Sequence, residues 1–405
     1  MSILRKASFV LCKRRGRKKR CRLALVCAIL SVILLCSSIG ASAMPTENEE
    51  NTNLGLDCKS AILIEASTGK VIYEQNADQA LPPASVTKVM TLLLVMEAIE
   101  EGRVSYTDKI RASKHACSMG GSQIYLEENE EMSLEDLLKS VIIASANDAA
   151  VALAEYVAGS EELFVARMNE RAKELGMSNT HFENTNGLDD SVERHLTSAR
   201  DIAIMSRELI KYPKITEYSS IWMDSIRNGE FGLTNTNRLV RFYRGATGLK
   251  TGSTAKAGFC ISATAERDGM ELIAVIMGSP SRDVRNAAAT KLLDYGFANY
   301  GVASVEGKRI EDISVSKGAL PTIDGEYADF SAVLKKSECA SVTAKIEISG
   351  SVSAPLSKGD KIGEVIYSVG DSEIGRADIL ACESVDRLGF YKMVLILLQK
   401  CASVI

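Results

Sequence analysis

At 405 residues, with 46% hydrophobic and 25% charged side chains, the chain is long enough for more than one domain and has the balance of a globular protein. The formal charge of −4 conceals an asymmetry: residues 1–43 hold ten Lys and Arg and no Asp or Glu, whereas the remainder holds 38 basic against 52 acidic residues. An acidic body of this kind lacks the electrostatic footprint of a nucleic-acid binder, and no nucleic acid is expected as a partner.

The basic runs Lys13–Arg15 and Arg17–Arg20 precede an apolar stretch from Leu23 to Ile39 and then Ala41-Ser42-Ala43. That order describes a secretory signal peptide over 1–43, with cleavage expected after Ala43. The short apolar core favours removal over a retained membrane helix. Residues 44–56, rich in Glu and Asn, read as a linker. Of the ten cysteines, four lie in the leader. The other six (Cys58, Cys117, Cys260, Cys339, Cys382, Cys401) are far apart with no C-x-x-C, so they are expected to be free and mostly buried rather than zinc ligands.

Ala61–Glu65 and Lys70–Glu74 are apolar runs around Ala66-Ser67-Thr68-Gly69, which predicts a β-hairpin. Next come Pro82-Pro83-Ala84-Ser85-Val86-Thr87-Lys88 and an apolar run to Met96, which predict a buried helix carrying Ser85 and Lys88 in its first turn. Helical spacing returns from Ser133 to Gly159, interrupted at Ser145-Ala146-Asn147-Asp148, then over Glu161–Leu175 and Asp201–Leu209. Gly258–Ala265 and Met270–Gly278 flank an Asp268-Gly269 turn signal, and Val284–Phe297 is again helical. Hairpins at both ends with helices between them predict an α/β (α+β) domain over 57–300, its outer segments paired in one antiparallel sheet with helices on its faces. Residues 301–384 read as a small all-β domain. There Ser341–Ile348 alternates strictly, with Val342, Ala344, Ile346 and Ile348 on one face, and a further strand follows at Ile362–Val369. Residues 385–405, with Leu388, Phe390, Tyr391 and Met393–Leu398 among Arg387, Lys392 and Lys400, suit an amphipathic helix lying on a membrane surface.

Residues three apart on a helix share a face, so the Lys88 amine can reach the Ser85 hydroxyl, as a nucleophile and its base require. The Ser-x-x-Lys spacing recurs elsewhere, at Ser253/Lys256 and Ser314/Lys317 among others, so alone it carries little weight. Ser145-Ala146-Asn147 is the chain's one Ser-x-Asn and Lys250-Thr251-Gly252 its one Lys-Thr-Gly. Three such motifs in this order form the signature of penicillin-binding proteins and class A β-lactamases. The chemistry they suit is acyl transfer by serine without histidine. Ser85 attacks a carbonyl, Lys88 removes its proton once burial and neighbouring cations such as Lys250 depress its pKa, and Ser145 relays a proton to the leaving amine. Asn147 is expected to orient substrate, while Lys250 and Thr251 offer a cation and a hydroxyl to its carboxylate. His115, His181 and His195 are the three histidines and no G-x-S-x-G occurs, which weakens a Ser-His-Asp reading. No metal or cofactor is expected.

Over residues 57–384 the chain resembles the D-alanyl-D-alanine carboxypeptidases among the low-molecular-mass penicillin-binding proteins. The likeness extends to Gly121–Leu126, Phe164–Asn169, Asn186-Gly187-Leu188 and Thr247–Gly252. It implies removal of the last D-alanine from peptidoglycan stem peptides ending in D-Ala-D-Ala, acylation by β-lactams, and action outside the cytoplasmic membrane with the tail as anchor. It further implies Gly252 as part of the substrate-binding motif, an oxyanion hole from the N–H groups of Ser85 and Ser253, and Arg285 as a second carboxylate-binding cation. Ala146 departs from the usual Ser-Gly-Asn, and Ser253 stands where other members have His. A β-lactamase is disfavoured because no Glu-x-x-Leu-Asn occurs, and a silent wall-binding protein because all six reactive side chains are retained.

Overall fold

The computed structural model describes residues 53–189, 192–348, 352–394 and 398; the leader expected at 1–43 lies outside the described residues. Ser60–Glu65 (β1), Val71–Gln75 (β2), Ala246–Thr254 (β3), Gly258–Arg267 (β4) and Met270–Ser279 (β5) form one antiparallel sheet in the order β2-β1-β5-β4-β3. The outer segments pair as expected, with Ala61 opposite Ile276 and Leu63 opposite Ala274. Asp268 and Gly269 join β4 to β5 with φ of 51° and 75°, both in the left-handed region that a two-residue hairpin turn demands.

Both faces of this sheet are covered. Ile62, Ile64, Ile273, Val275 and Met277 point into one core, and Ala61, Leu63, Leu272, Ala274 and Ile276 into the other. A strand buried on both sides has no solvent face to fill with polar residues, so β1 and β5 read as unbroken apolar runs. On the first face lie Lys88–Glu100 (α1), Asn147–Ala158 (α2), Glu161–Glu174 (α3) and Ala199–Leu209 (α4). On the second lies Arg282–Asn299 (α5), with Ala289, Leu292 and Leu293 against the sheet. The first turns of α3, α4 and α5 are capped by Ser160, Ser198 and Ser281, whose side chains accept backbone N–H bonds. Helix α1 is apolar almost all round and buried accordingly, and each fully buried side chain such as Met90, Leu92 or Leu93 stabilises by about 1.5–3 kcal/mol.

Two local departures matter for the site. Ser85 lies not in the α-helix but in a single 3₁₀ turn, Ala84–Thr87, set between the two prolines and α1. The interruption expected near Ser145 is a π-turn over Ser140–Ala144, after which Ser145 itself is left-handed at φ 65°. Such bulges gather where a helix must redirect a functional side chain.

The β-domain comprises Tyr300–Val305 (β6), Arg309–Ser316 (β7), Thr322–Glu326 (β8), Phe330–Lys335 (β9), Val342–Ile348 (β10), Val352–Ser353 (β11), Lys361–Val369 (β12) and Ser372–Ala381 (β13). Strands β6 and β9 pair with each other, and the rest form a sheet ordered β10-β12-β13-β8-β7-β11. Its core is Ile313, Ile323, Ile362, Val365, Tyr367 and Ile379, with the Tyr367 ring stacked 3.9 Å from that of Phe330. The alternating strand forms, but its apolar face is not buried: Ile346 is 47% exposed, because β10 is the edge strand and nothing described covers it. At the C-terminus, Val385 bridges Leu356 and Leu388 N–H donates to the Lys317 carbonyl, so residues through 388 are hydrogen-bonded into the β-domain. Beyond them Phe390 and Tyr391 are 70% and 86% exposed. No helix among the described residues is long and apolar enough to cross a membrane. The five described cysteines are free as expected, but only Cys260 is fully buried; Cys401 lies outside the described residues.

Burial sets the expected outcome of two substitutions in the β-domain. Ile379→Ala, in its core, should cost about 2–5 kcal/mol in urea unfolding, whereas Ile346→Ser should stay within about 0.5 kcal/mol of wild type.

Candidate active site

The three motifs converge at the edge of the sheet. Strand β3 runs past the Ser85 turn so closely that a Cβ on Gly252 would lie 2.7 Å from the Ser85 nitrogen and 2.9 Å from both the Pro83 oxygen and the Val86 nitrogen. Only glycine admits that approach, which accounts for its place after Lys250-Thr251.

The Lys88 amine, fully buried, lies 2.9 Å from Ser85 Oγ, 2.6 Å from Asn147 Oδ1 and 2.7 Å from the Asn186 carbonyl oxygen. The last two atoms can only accept, so they take two amine hydrogens. A neutral amine then has its lone pair left for the Ser85 hydroxyl. Burial, reinforced by the Lys250 charge and opposed by Asp148, pushes the Lys88 pKa well below its ordinary value, toward that neutral form. Asn147 is therefore differently engaged from the expectation: its Oδ1 holds Lys88 and its Nδ2 donates to the Gly120 carbonyl at 2.6 Å. In this arrangement it orients the Lys88 amine, and the second hydrogen of its Nδ2 has no protein acceptor among the described residues.

Lys250, also buried, donates to Ser145 Oγ at 2.8 Å and to the Thr251 carbonyl at 3.0 Å. Because Ser145 Oγ accepts from Lys250, its own hydrogen is free to be given away. Burial and then the Arg285 charge lower the Lys250 pKa to about 7. Arg285 projects from the first turn of α5, where its Nη1 donates to the Cys260 carbonyl at 3.3 Å, and Cys260 faces Gly252 across the β3–β4 ladder. Burial and Arg282, one turn earlier, lower Arg285 to about 10, still protonated at neutral pH.

Ala146, the departure from Ser-Gly-Asn, has φ −59°, which any residue adopts, and its methyl group is buried in the first core. Ser85, Ser145, Thr251, Gly252, Ser253 and Arg285 line one cavity of about 680 Å³. Its wall also includes Arg238, Arg282, Trp222 and Phe242, which sequence reasoning did not find. The Arg282/Arg285 spacing of one helical turn was the available signal for the second arginine. Among the described residues no carboxylate pairs with Lys88, Lys250 or Arg285, so these buried cations have no protein counter-ion there.

Residues 46–281 match the D-alanyl-D-alanine carboxypeptidase family and residues 305–387 the C-terminal domain of penicillin-binding protein 5. The D-alanyl-D-alanine carboxypeptidase DacF of Bacillus subtilis is 39% identical over 373 residues, spanning 90% of this chain and 95% of the relative. Among solved structures, penicillin-binding protein 5 of Haemophilus influenzae superposes with a TM-score of 0.72 at 31% identity, covering 82% of this chain and 98% of the other. A penicillin-binding protein of Listeria monocytogenes, solved with ampicillin bound, is 33% identical and covers 60% of this chain and 99% of its own, with a TM-score of 0.56.

Two outcomes test the geometry. With Lys88 acting as the base in its neutral form, acylation by penicillin should rise with pH and level off well below the ordinary lysine value of 10.5, and Lys88→Arg, which stays charged, should be nearly inert at every pH; activity in that variant would rule the role out. Gly252→Ala should lower the acylation rate by about 100-fold through displacement of the Ser85 turn, measured by stopped-flow labelling.

With the signature residues gathered at one cavity and both domains matched, the chain belongs to the D-alanyl-D-alanine carboxypeptidase family, the serine peptidases that bind penicillin.

Proposed function

We propose that Ser85 is the nucleophile of a D-Ala-D-Ala carboxypeptidase acting on peptidoglycan stem peptides, with Lys88 as its base. The observation that carries this assignment is the placement of the Lys88 amine, with two acceptors for its hydrogens and Ser85 Oγ at 2.9 Å. Lys88 takes the Ser85 proton as Oγ attacks the carbonyl of the penultimate D-alanine. The peptide C–N bond breaks, and terminal D-alanine leaves with a proton from Ser145, which regains one relayed from Lys88, so that Lys88 is neutral again. Water then attacks the acyl-enzyme and gives its proton to Lys88, which passes it to Ser85 Oγ as the ester C–O bond breaks and the shortened peptide is released. The substrate carboxylate lies against Thr251 and Arg285, where buried positive charge has no protein counter-ion among the described residues, and the N–H groups of Ser85 and Ser253 receive the oxyanion. A β-lactam ring enters the same reaction as a carboxylate-bearing amide whose acyl-enzyme persists.

The same reading extends to location. Residues 1–43 act as a leader that sends the chain across the cytoplasmic membrane. The residues after Leu388 then hold the mature enzyme on the membrane's outer face. Supporting this are the exposed Phe390, Tyr391, Met393 and Leu398, with Lys392 and Lys400 to attract anionic head groups.

Incubation of the purified protein with a stem pentapeptide should release one alanine, seen by mass spectrometry, and Ser85→Ala should abolish both this release and labelling by penicillin. Label persisting on Ser253 would overturn the assignment. Truncation after Gly389 should move the mature protein from membranes to the soluble fraction with penicillin labelling intact. Retention on membranes would place the anchor elsewhere.

A further inference from the structure

The turn that carries Ser85 is met by the side chain of His195. This imidazole is 4% exposed and stacks edge-on against Phe182 at 5.7 Å. Its Nδ1 lies 2.9 Å from the Glu183 backbone N–H, which can only donate, so Nδ1 accepts and the proton of a neutral ring sits on Nε2. Nε2 is 2.7 Å from Thr87 Oγ1, and Thr87 Oγ1 donates in turn to the Ala84 carbonyl at 2.8 Å. The chain of donors has one direction, from His195 through Thr87 to Ala84.

Ala84 needs such a hold. Its φ is 50°, in the left-handed region that alanine rarely adopts, and the turn keeps that conformation one residue before the nucleophile. Gly187 closes over the same carbonyl, where a Cβ would lie 1.9 Å from the Ala84 oxygen and 2.8 Å from Thr87 Oγ1. That oxygen is one end of the Ala84–Ser85 peptide unit, and the other end is the Ser85 N–H. In a planar trans peptide the two point in opposite directions, so fixing the oxygen fixes the N–H.

We propose that His195 is a positioning residue for acyl transfer: as the Nε2–H tautomer it locks Thr87, and through Thr87 the Ala84 carbonyl, so that the Ser85 N–H faces the oxyanion before substrate arrives. Its effect falls on the transition state, where the oxyanion forms, rather than on substrate binding. Burial, outweighing the opposing charge of Glu183, lowers the His195 pKa to about 4 and keeps the ring neutral as this role requires. The inference rests on Ser85 being the nucleophile, which penicillin labelling of Ser85 establishes separately in each variant.

The test uses the full mature chain, with stopped-flow acylation, steady-state pentapeptide kinetics and thermal unfolding measured together. His195→Phe keeps the aromatic packing but removes both nitrogens, and it should slow acylation and lower kcat by at least about 10-fold with KM little changed. His195→Gln, which can accept from Glu183 and donate to Thr87, should restore most of the lost rate. Thr87→Val should match His195→Phe, and the double variant should fall no further, since both break one chain of bonds. Nitrogen NMR of wild type should show His195 protonated at Nε2 and bare at Nδ1. Should His195→Phe fail to fold, Thr87→Val and His195→Gln decide alone. Wild-type acylation by a folded Thr87→Val, failure of a folded His195→Gln to recover rate, or a proton on Nδ1 would each overturn the proposal.

Discussion

A primary amine buried beside a serine hydroxyl, with no carboxylate paired to it among the described residues, is the constraint on which this active site depends. Removing an ammonium ion from water costs several kcal/mol unless it is paired. That cost is what lowers the Lys88 pKa and favours the neutral amine, the form the proposed base requires. A carboxylate is close at hand: Asp148, adjacent to Asn147 on α2, is completely buried. Its oxygens accept instead from the backbone N–H groups of Ile124, Leu126 and Ala149. Had Asp148 turned toward Lys88, the pair would have favoured the protonated amine, which has no lone pair for the Ser85 hydroxyl. Committing the carboxylate to the 120–126 segment both anchors that wall of the cavity and leaves the lysine unpaired.

Such an arrangement works only if distances hold to a few tenths of an ångström, and the doubly covered sheet supplies that rigidity. Strand β3 carries Lys250 and Gly252, and β4 beside it carries Cys260, whose carbonyl ties down Arg285 from α5. Two cationic groups, Lys250 and Arg285, are thus referenced to one hydrogen-bonded ladder, and that ladder abuts the Ser85 turn through the missing side chain of Gly252. On the opposite side the references are backbone groups: the Asn186 carbonyl toward Lys88 and the Gly120 carbonyl toward Asn147. The Ser85 turn is held between a strand and a loop, each of which approaches through a glycine, Gly252 on one side and Gly187 on the other.

This division marks what was legible in the sequence. Apolar runs bounded by turn signals disclosed the hairpins, apolar residues at helical spacing disclosed α1 and α5, and short fixed spacings disclosed Ser85/Lys88, Ser145/Asn147 and Lys250/Thr251/Gly252. A carbonyl donated by the main chain has no residue type, so the roles of Asn186 and Gly120 left no mark. Nor did the left-handed backbone of Ala84 and Ser145, since neither is glycine. The occupied amide of Asn147 was hidden for the same reason: half of its partners are backbone atoms. Strand β10 shows the opposite failure, in which period-two alternation reports a face that could be buried but cannot report whether another layer covers it. At an edge position none of the described residues does.

The junction between the two domains bears on how a membrane-held enzyme would meet its substrate. Residues 300–305 are not a free linker: Tyr300 and Val333 are buried in the core between the sheet and α5. Lys70 donates to the Val333 carbonyl at 3.1 Å, and Lys336 donates to that of Phe297 at 2.7 Å. A connection packed and hydrogen-bonded on both sides lacks the exposed, few-contact character of a domain boundary that swings. The β-domain has a core of its own around Tyr367, stacked on Phe330, and the tail leaves it at residues already hydrogen-bonded to that domain. If residues beyond 388 lie in the lipid interface, motion of the catalytic cavity is limited by the stiffness of two packed domains rather than by a chain of free torsions. The enzyme would then reach stem peptides at one stand-off from the membrane, and lengthening the short segment at Gly389 would relax that limit without touching the chemistry at Ser85.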